Sequence, residues 1–192
     1  MTLRDSGVSR AHAGEADMVI VPQRWTGGGP LVLVCHGAGG APASYYSPSG
    51  RRDLDLLADT GCCVLIADLG GTNTWANDTF IARVGEARTY ASTTWGADIT
   101  RMAMIGDSMG AQGALIYMVA NPTLVACVAG RIPVVAADAL HDRQPAGLGL
   151  LIDSAYGSSA NWEAAKATKD PSAAGPAVNG HDQARWIWSH LA

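Results

Sequence analysis

Residues 101–120 read RMAMIGDSMGAQGALIYMVA. The first six are mostly apolar, the pattern of a parallel strand buried on both faces. Residues 109–120 form a longer, mostly apolar stretch suited to a buried helix, and Asn121-Pro122 stops it. Between strand and helix lies Gly106-Asp107-Ser108-Met109-Gly110, a G-x-S-x-G pattern in the strand–turn–helix setting that gives the pattern meaning. The reason for the glycines is space. The turn is so sharp that side chains two residues before or after the serine collide with neighbouring backbone. Such a turn lifts Ser108 Oγ above the sheet edge at a helix N-terminus, where free N–H groups and the helix dipole favour developing negative charge. The plainer alternative is an ordinary strand-to-helix turn with a capping serine.

The same alternation runs outward from this stretch. Upstream, residues 17–22 (DMVIVP) and 31–35 (LVLVC) read as strands, 51–60 as a helix ended by Gly61, and 62–68 (CCVLIAD) as another continuous apolar strand. Asn77 or Asp78 caps a helix whose inward positions are Phe80, Ile81, Val84, Ala87 and Ala91, and Gly96 closes it. Downstream, 124–135 (LVACVAGRIPVV) reads as a strand disturbed at its end by Gly130 and Pro133. Apolar strands alternating with helices predict an α/β domain, a mainly parallel sheet with helices on both faces, over residues 1–192. The pattern degrades after about residue 137. Residues 147–153 (GLGLLID) fit a strand or the start of a helix, NWEAAKATKD fits a short polar helix, and 182–192 fit an amphipathic helix capped by Asp182.

A second motif, His36-Gly37-Ala38-Gly39-Gly40, directly follows the strand LVLVC. A glycine-rich loop exposes backbone N–H groups without side-chain obstruction. The N–H of Ala38 paired with that of Met109 is expected to form an oxyanion hole, worth about 3 to 4 kcal/mol per donor in acyl transfer. His36 reads as a loop-ordering hydrogen bonder rather than a base. A phosphate-cradling loop is disfavoured, because the Lys-Ser/Thr of a P-loop and the G-x-G-x-x-G spacing are both missing.

Together HGAGG and GDSMG resemble the α/β-hydrolase fold over about residues 17–137. The segments Ala67-Asp68-Leu69-Gly70-Gly71 and Thr74-Trp75-Ala76-Asn77-Asp78-Thr79 resemble small esterase-like hydrolases of actinobacteria and related domains in minor tail proteins of their phages. The resemblance implies a serine esterase or lipase with Ser108 as nucleophile and an acid and a histidine later in the chain. Of the later histidines, His181 sits in a loop ahead of the terminal helix and is the expected base. His141 is expected in a loop above the sheet, and His190 within the helix. For the acid, Asp138 ends the apolar run GRIPVVAAD and is the first choice. Asp153 is the second, and Asp170 fits neither family position. The fold calls for two further strands between 138 and 181, and no two convincing apolar runs supply them. The catalytic end therefore reads as minimal or truncated, which keeps a second expectation open: a structural or receptor-binding module, such as a tail component, on a degenerate hydrolase scaffold. An acyltransferase or peptidase on the same scaffold is a third.

Composition sets outer limits. The chain has 192 residues, 48% hydrophobic and 16% charged, which excludes a disordered chain. A net charge of −4 and a pI near 5.6 argue against nucleic acid as partner. No run reaches the ~20 apolar residues of a membrane span. The first 17 residues lack the apolar core of a signal peptide, so a cytoplasmic location, or a place in a particle such as a virion, is expected. The four cysteines, Cys35, Cys62, Cys63 and Cys127, have no metal-ligand spacing and read as buried strand residues. No cofactor is expected. The expected partner is a small-molecule, lipid or glycolipid ester, with homo-oligomer or virion assembly open. Tyr45, Tyr46, Trp75 and Trp95 are candidate pocket residues, and Trp186 or Trp188 a packing surface of the terminal helix.

Overall fold

A computed structural model describes residues 5–12, 15–45 and 48–173. Six strands form one sheet in the order β1-β2-β4-β3-β5-β6: β1 (Asp5–His12), β2 (Glu15–Val21), β3 (Pro30–Cys35), β4 (Cys63–Ile66), β5 (Asp98–Asp107) and β6 (Val125–Arg131). The last four are mutually parallel, whereas β2 runs antiparallel to both β1 and β4. Strand β1 has no counterpart in the sequence reading, because DSGVSRAH contains no apolar run. The helices are α1 (Pro48–Asp59), α2 (Asp78–Trp95), α3 (Met109–Ala120), α4 (Ala137–Arg143), α5 (Leu148–Tyr156) and α6 (Ser159–Lys169).

Alternating strand residues feed two cores, as a doubly covered sheet requires. Val19, Val21, Leu31, Leu33, Cys35, Met102 and Met104 face α2 and α3, meeting Phe80, Val84, Ala87, Ala114 and Tyr117. Met18, Ile20, Val32, Val34, Val64 and Ile66 face α1 and meet Leu54, Ala58 and Tyr45. The predicted caps of α2 are present. The Asn77 side chain accepts from Phe80 N–H, and Gly96 takes a left-handed φ of +65°. Adjacent Cys62 and Cys63 do serve opposite faces, but the expectation that all four cysteines are buried fails at two positions. Cys62 is half-buried ahead of β4, and Cys127 is exposed on β6, where the α1 side of the sheet is open among the described residues.

Beyond β6 the chain makes helices only, as far as residue 173. Strand β6 stops at Arg131 because Ile132 turns left-handed (φ +49°) and Pro133 has no N–H to continue the ladder. The run GRIPVVAAD is therefore not one strand, and Asp138 is the second residue of α4 rather than a strand end. His141 also lies in α4, not in a loop. Residues 148–156 resolve as helix α5, with Ile152 buried and Leu148, Ala155 and Tyr156 packed on the same small core. That third core joins Trp75, Met109, Ala137, Ile152 and Trp162, and it seats α4–α6 on the carboxyl edge of the sheet. No helix of the described residues is long and apolar enough to cross a membrane.

Candidate active site

The carboxyl ends of β3, β5 and β6 converge, the place where open parallel sheets bind ligands. Register pairs Cys35 with Gly106, Gly106 with Gly130, and Asp107 with Arg131. The chain then reverses at Ser108, whose backbone is held at φ +50°, ψ −111°. A left-handed φ in a non-glycine residue is strained and needs surrounding structure to enforce it. Here the enforcement is steric. A Cβ on Gly106 would lie 2.3 Å from Ala111 Cα, and one on Gly110 would lie 2.2 Å from the carbonyl oxygen of Cys35. Both glycines of the motif are demanded by close approach, as the sequence reading expected. The capping alternative fails, because the Ser108 side chain makes no capping hydrogen bond.

The loop after β3 lies against this turn. A Cβ on Gly37 would sit 3.3 Å from Asp107 O and 3.6 Å from Ser108 Cβ. The N–H groups of Gly39 and Gly40 donate to the carbonyls of Thr72 (2.7 Å) and Gly37 (2.9 Å). The acceptor loop is itself tied down by buried Asp68, whose Oδ1 accepts from Gly70 and Gly71 N–H. Ala38 packs on the core that contains Met109. Met109 opens α3, so its N–H has no intrahelical acceptor. His36 is buried, and its Nδ1 lies 3.0 Å from the Gly37 carbonyl, to which it donates. This is the ordering role read from the sequence.

A cavity of about 290 Å³ opens beside the turn, walled by the 36–40 loop, Ser44, Tyr45, Asp107 and Arg131. Sequence reasoning missed its polar wall. The Arg131 guanidinium grips both oxygens of Asp107, and Tyr45 O–H donates to Asp107 Oδ2. The pair is made by strand register between residues 24 apart, which no local pattern reveals. Burial and then the Asp107 carboxylate push the Tyr45 phenol upward, so it stays a neutral donor. The hydrogen bond to Asp107 likewise raises Arg131.

The other sequence candidates separate. Asp138 is bound by Lys166 Nζ at 3.1 and 3.2 Å, and its backbone N–H donates to buried Asp170. Glu163 and then Asp138 push the Lys166 ammonium up to about 12. Asp153 pairs with His141: Oδ1 lies 2.9 Å from Nε2, while Asp142 lies 3.4 Å from Nδ1. Burial works against charge on His141, but the bonds to Asp153 and Asp142 outweigh it and raise its affinity for a proton. Trp75 is fully buried, Tyr45 lines the cavity, and Trp95 lies away from the site, donating to Tyr90. His181, His190, Trp186 and Trp188 lie outside the described residues, and for Tyr46 no placement is described. Among the described residues, no cluster of His, Cys, Asp or Glu large enough to hold a metal occurs.

No family model matches the sequence, and no curated protein does either. Solved structures match the shape. Esterase B from Lactobacillus rhamnosis superposes with a TM-score of 0.70 at 16% identity, over 92% of this chain and 63% of that one. This chain has the α/β-hydrolase fold. FphF, a fluorophosphonate-binding serine hydrolase of Staphylococcus aureus, gives a TM-score of 0.70 at 15% identity, over 95% and 75% of the two chains. An S-formylglutathione hydrolase from Agrobacterium tumefaciens gives 0.66 at 16%, over 89% and 69%. The chain spans just under two thirds of the length of esterase B.

Proposed function

We propose that this protein is a serine hydrolase of esterase type. The observation that carries the reading is the turn at Ser108: an uncapped serine held at φ +50° between two glycines that tolerate no side chain. Strain of this kind persists where it serves a reaction, and structures of similar shape include esterases and a fluorophosphonate-binding hydrolase. Ser108 Oγ attacks the ester carbonyl and loses its proton to an imidazole. The carbonyl oxygen becomes an oxyanion facing the N–H groups of Ala38 and Met109. The intermediate collapses, the alcohol leaves with that proton, and water hydrolyses the acyl-serine by the same steps. The base assigned is His181, with Asp138 orienting it; that carboxylate is then shared with Lys166.

One observation favours a different base. His141 and Asp153 already form an acid–imidazole pair beside Trp162, whose ring centre lies 6.3 Å from that of His141. Substituting each histidine by alanine decides between them. If His181 is the base, its loss slows reaction of Ser108 with a fluorophosphonate by about 10²- to 10⁴-fold, and loss of His141 leaves the rate within a few fold. The reverse result moves the base to His141. Equal labelling of the wild type and Ser108→Ala refutes the hydrolase reading and leaves a binding module on this scaffold.

A further inference from the structure

We propose that Ile132 is the contact for a hydrocarbon chain of the ester that Ser108 attacks, making aliphatic esters the preferred substrate class. The inference rests on the hydrolase reading of Ser108. Ile132 breaks two ordinary rules at once. Its φ is +49°, a region that suits glycine or asparagine and that a β-branched side chain avoids. It is also 88% exposed, the most exposed of the large apolar side chains among the described residues, although isoleucine is among the residues most often buried. Neither local geometry nor burial explains an isoleucine here.

Position supplies the explanation. The loop is tied to Ser108 on both sides: Ser108 N–H donates to the carbonyl of Arg131 (2.9 Å), and Val134 N–H donates to the carbonyl of Ser108 (3.4 Å). Ile132 and Pro133 thus form a two-residue bight hung on the peptide groups of Ser108. Pro133 is turned back towards Gly130, where an added Cβ would meet it at 2.9 Å. Ile132 is left facing solvent, with half-exposed Val135 three residues on. On the other side, Arg131 and Asp107 neutralise each other in the cavity wall. A paired guanidinium offers little to an anionic substrate, whereas an exposed isoleucine on a loop tied to the Ser108 peptide groups offers an apolar ledge. Covering that ledge with methylene groups recovers burial that the free protein forgoes.

The test separates this proposal from the reading beneath it. Ile132 is labelled at its δ1 methyl in Ser108→Ala protein, which cannot turn over an ester. Methyl acetate, methyl hexanoate and hexyl acetate are then titrated in. The expected result is a saturable shift of the Ile132 methyl with one or both six-carbon esters and none with methyl acetate; the two long esters tell acyl side from alcohol side. In active protein, Ile132→Gly lowers about tenfold the preference for the long chain whose ester shifts the methyl: hexanoyl over acetyl in nitrophenyl esters, or hexyl over methyl in acetates. It also raises Tm by roughly 2 to 4 °C, because glycine accepts the left-handed backbone. An Ile132 methyl that ignores all three esters overturns the proposal, whatever the activity of Ser108. So does a shift that follows protein concentration instead of ester, which assigns Ile132 to self-association. Failure of Ser108 to react with a fluorophosphonate counts against the hydrolase reading alone, because the methyl shift needs no catalysis.

Discussion

Ser108 and its two glycines hold the strain on which the proposed site depends. At Gly110 the margin is smallest, and Gly110→Ala forces a methyl group onto the Cys35 carbonyl. The expected cost is about 3 kcal/mol, read by denaturant unfolding, with fluorophosphonate reactivity lost as the turn shifts. Ser108→Gly does the opposite. It removes a side chain that caps nothing and relieves the positive φ, so stability should rise by about 1 kcal/mol while reactivity vanishes. A destabilised Ser108→Gly protein contradicts the claim that the turn is strained. The sequence showed these residues because their constraint is local: three positions within five residues. It did not show Tyr45, Asp107 and Arg131 as a unit, since they meet only when β5 and β6 align and the 36–45 segment folds over them.

Among the elements, α4–α6 differ from the rest in how they are held. They rest on the sheet edge through Trp162 and through side chains that reach carbonyls across the junction: Asn73 to Leu151, Asn77 to Ala155, Gln112 to Lys169, and Tyr156 to Trp75. Trp162→Ala empties the centre of that core and should cost about 3 to 5 kcal/mol. Hydrogen exchange should show α4–α6 loosening before the parallel strands do. The His141–Asp153 bond joins α4 to α5 and carries a pH dependence. The folded protein holds the His141 proton more tightly than the unfolded chain, whose value is ordinary (6.5). Its contribution is therefore complete below about pH 6.5 and fades as pH rises through the raised folded value. The Tm difference between wild type and His141→Gln should shrink from pH 5.5 to 9; a difference that grows contradicts the pairing. Strands β3, β4 and β5 and helix α2 were legible because apolar runs and caps are written in contiguous residues. The α4–α5 region was not, because its apolar residues are shared between a strand end, a left-handed loop and two short helices. Periodicity needs longer windows than these.

Across the whole molecule, two kinds of feature meet at one sheet edge. The parallel strands, in the order that places β3 beside β5, bring the loop at Ala38 to the turn at Ser108. The three helices after β6 close over Met109 and Trp75 rather than extending the sheet. The fold calls for two more strands between 138 and 181; the described part of that stretch, to residue 173, forms this helical cover instead. The acid expected at a strand end accordingly sits on α4, paired with Lys166. The proposed hydrolysis depends on the chemistry of one hydroxyl. Incubation of the intact protein with a fluorophosphonate, followed by peptide mass analysis, should find a single adduct on Ser108, absent from Ser108→Ala. An unmodified Ser108 in folded protein, or an adduct that survives Ser108→Ala, contradicts it.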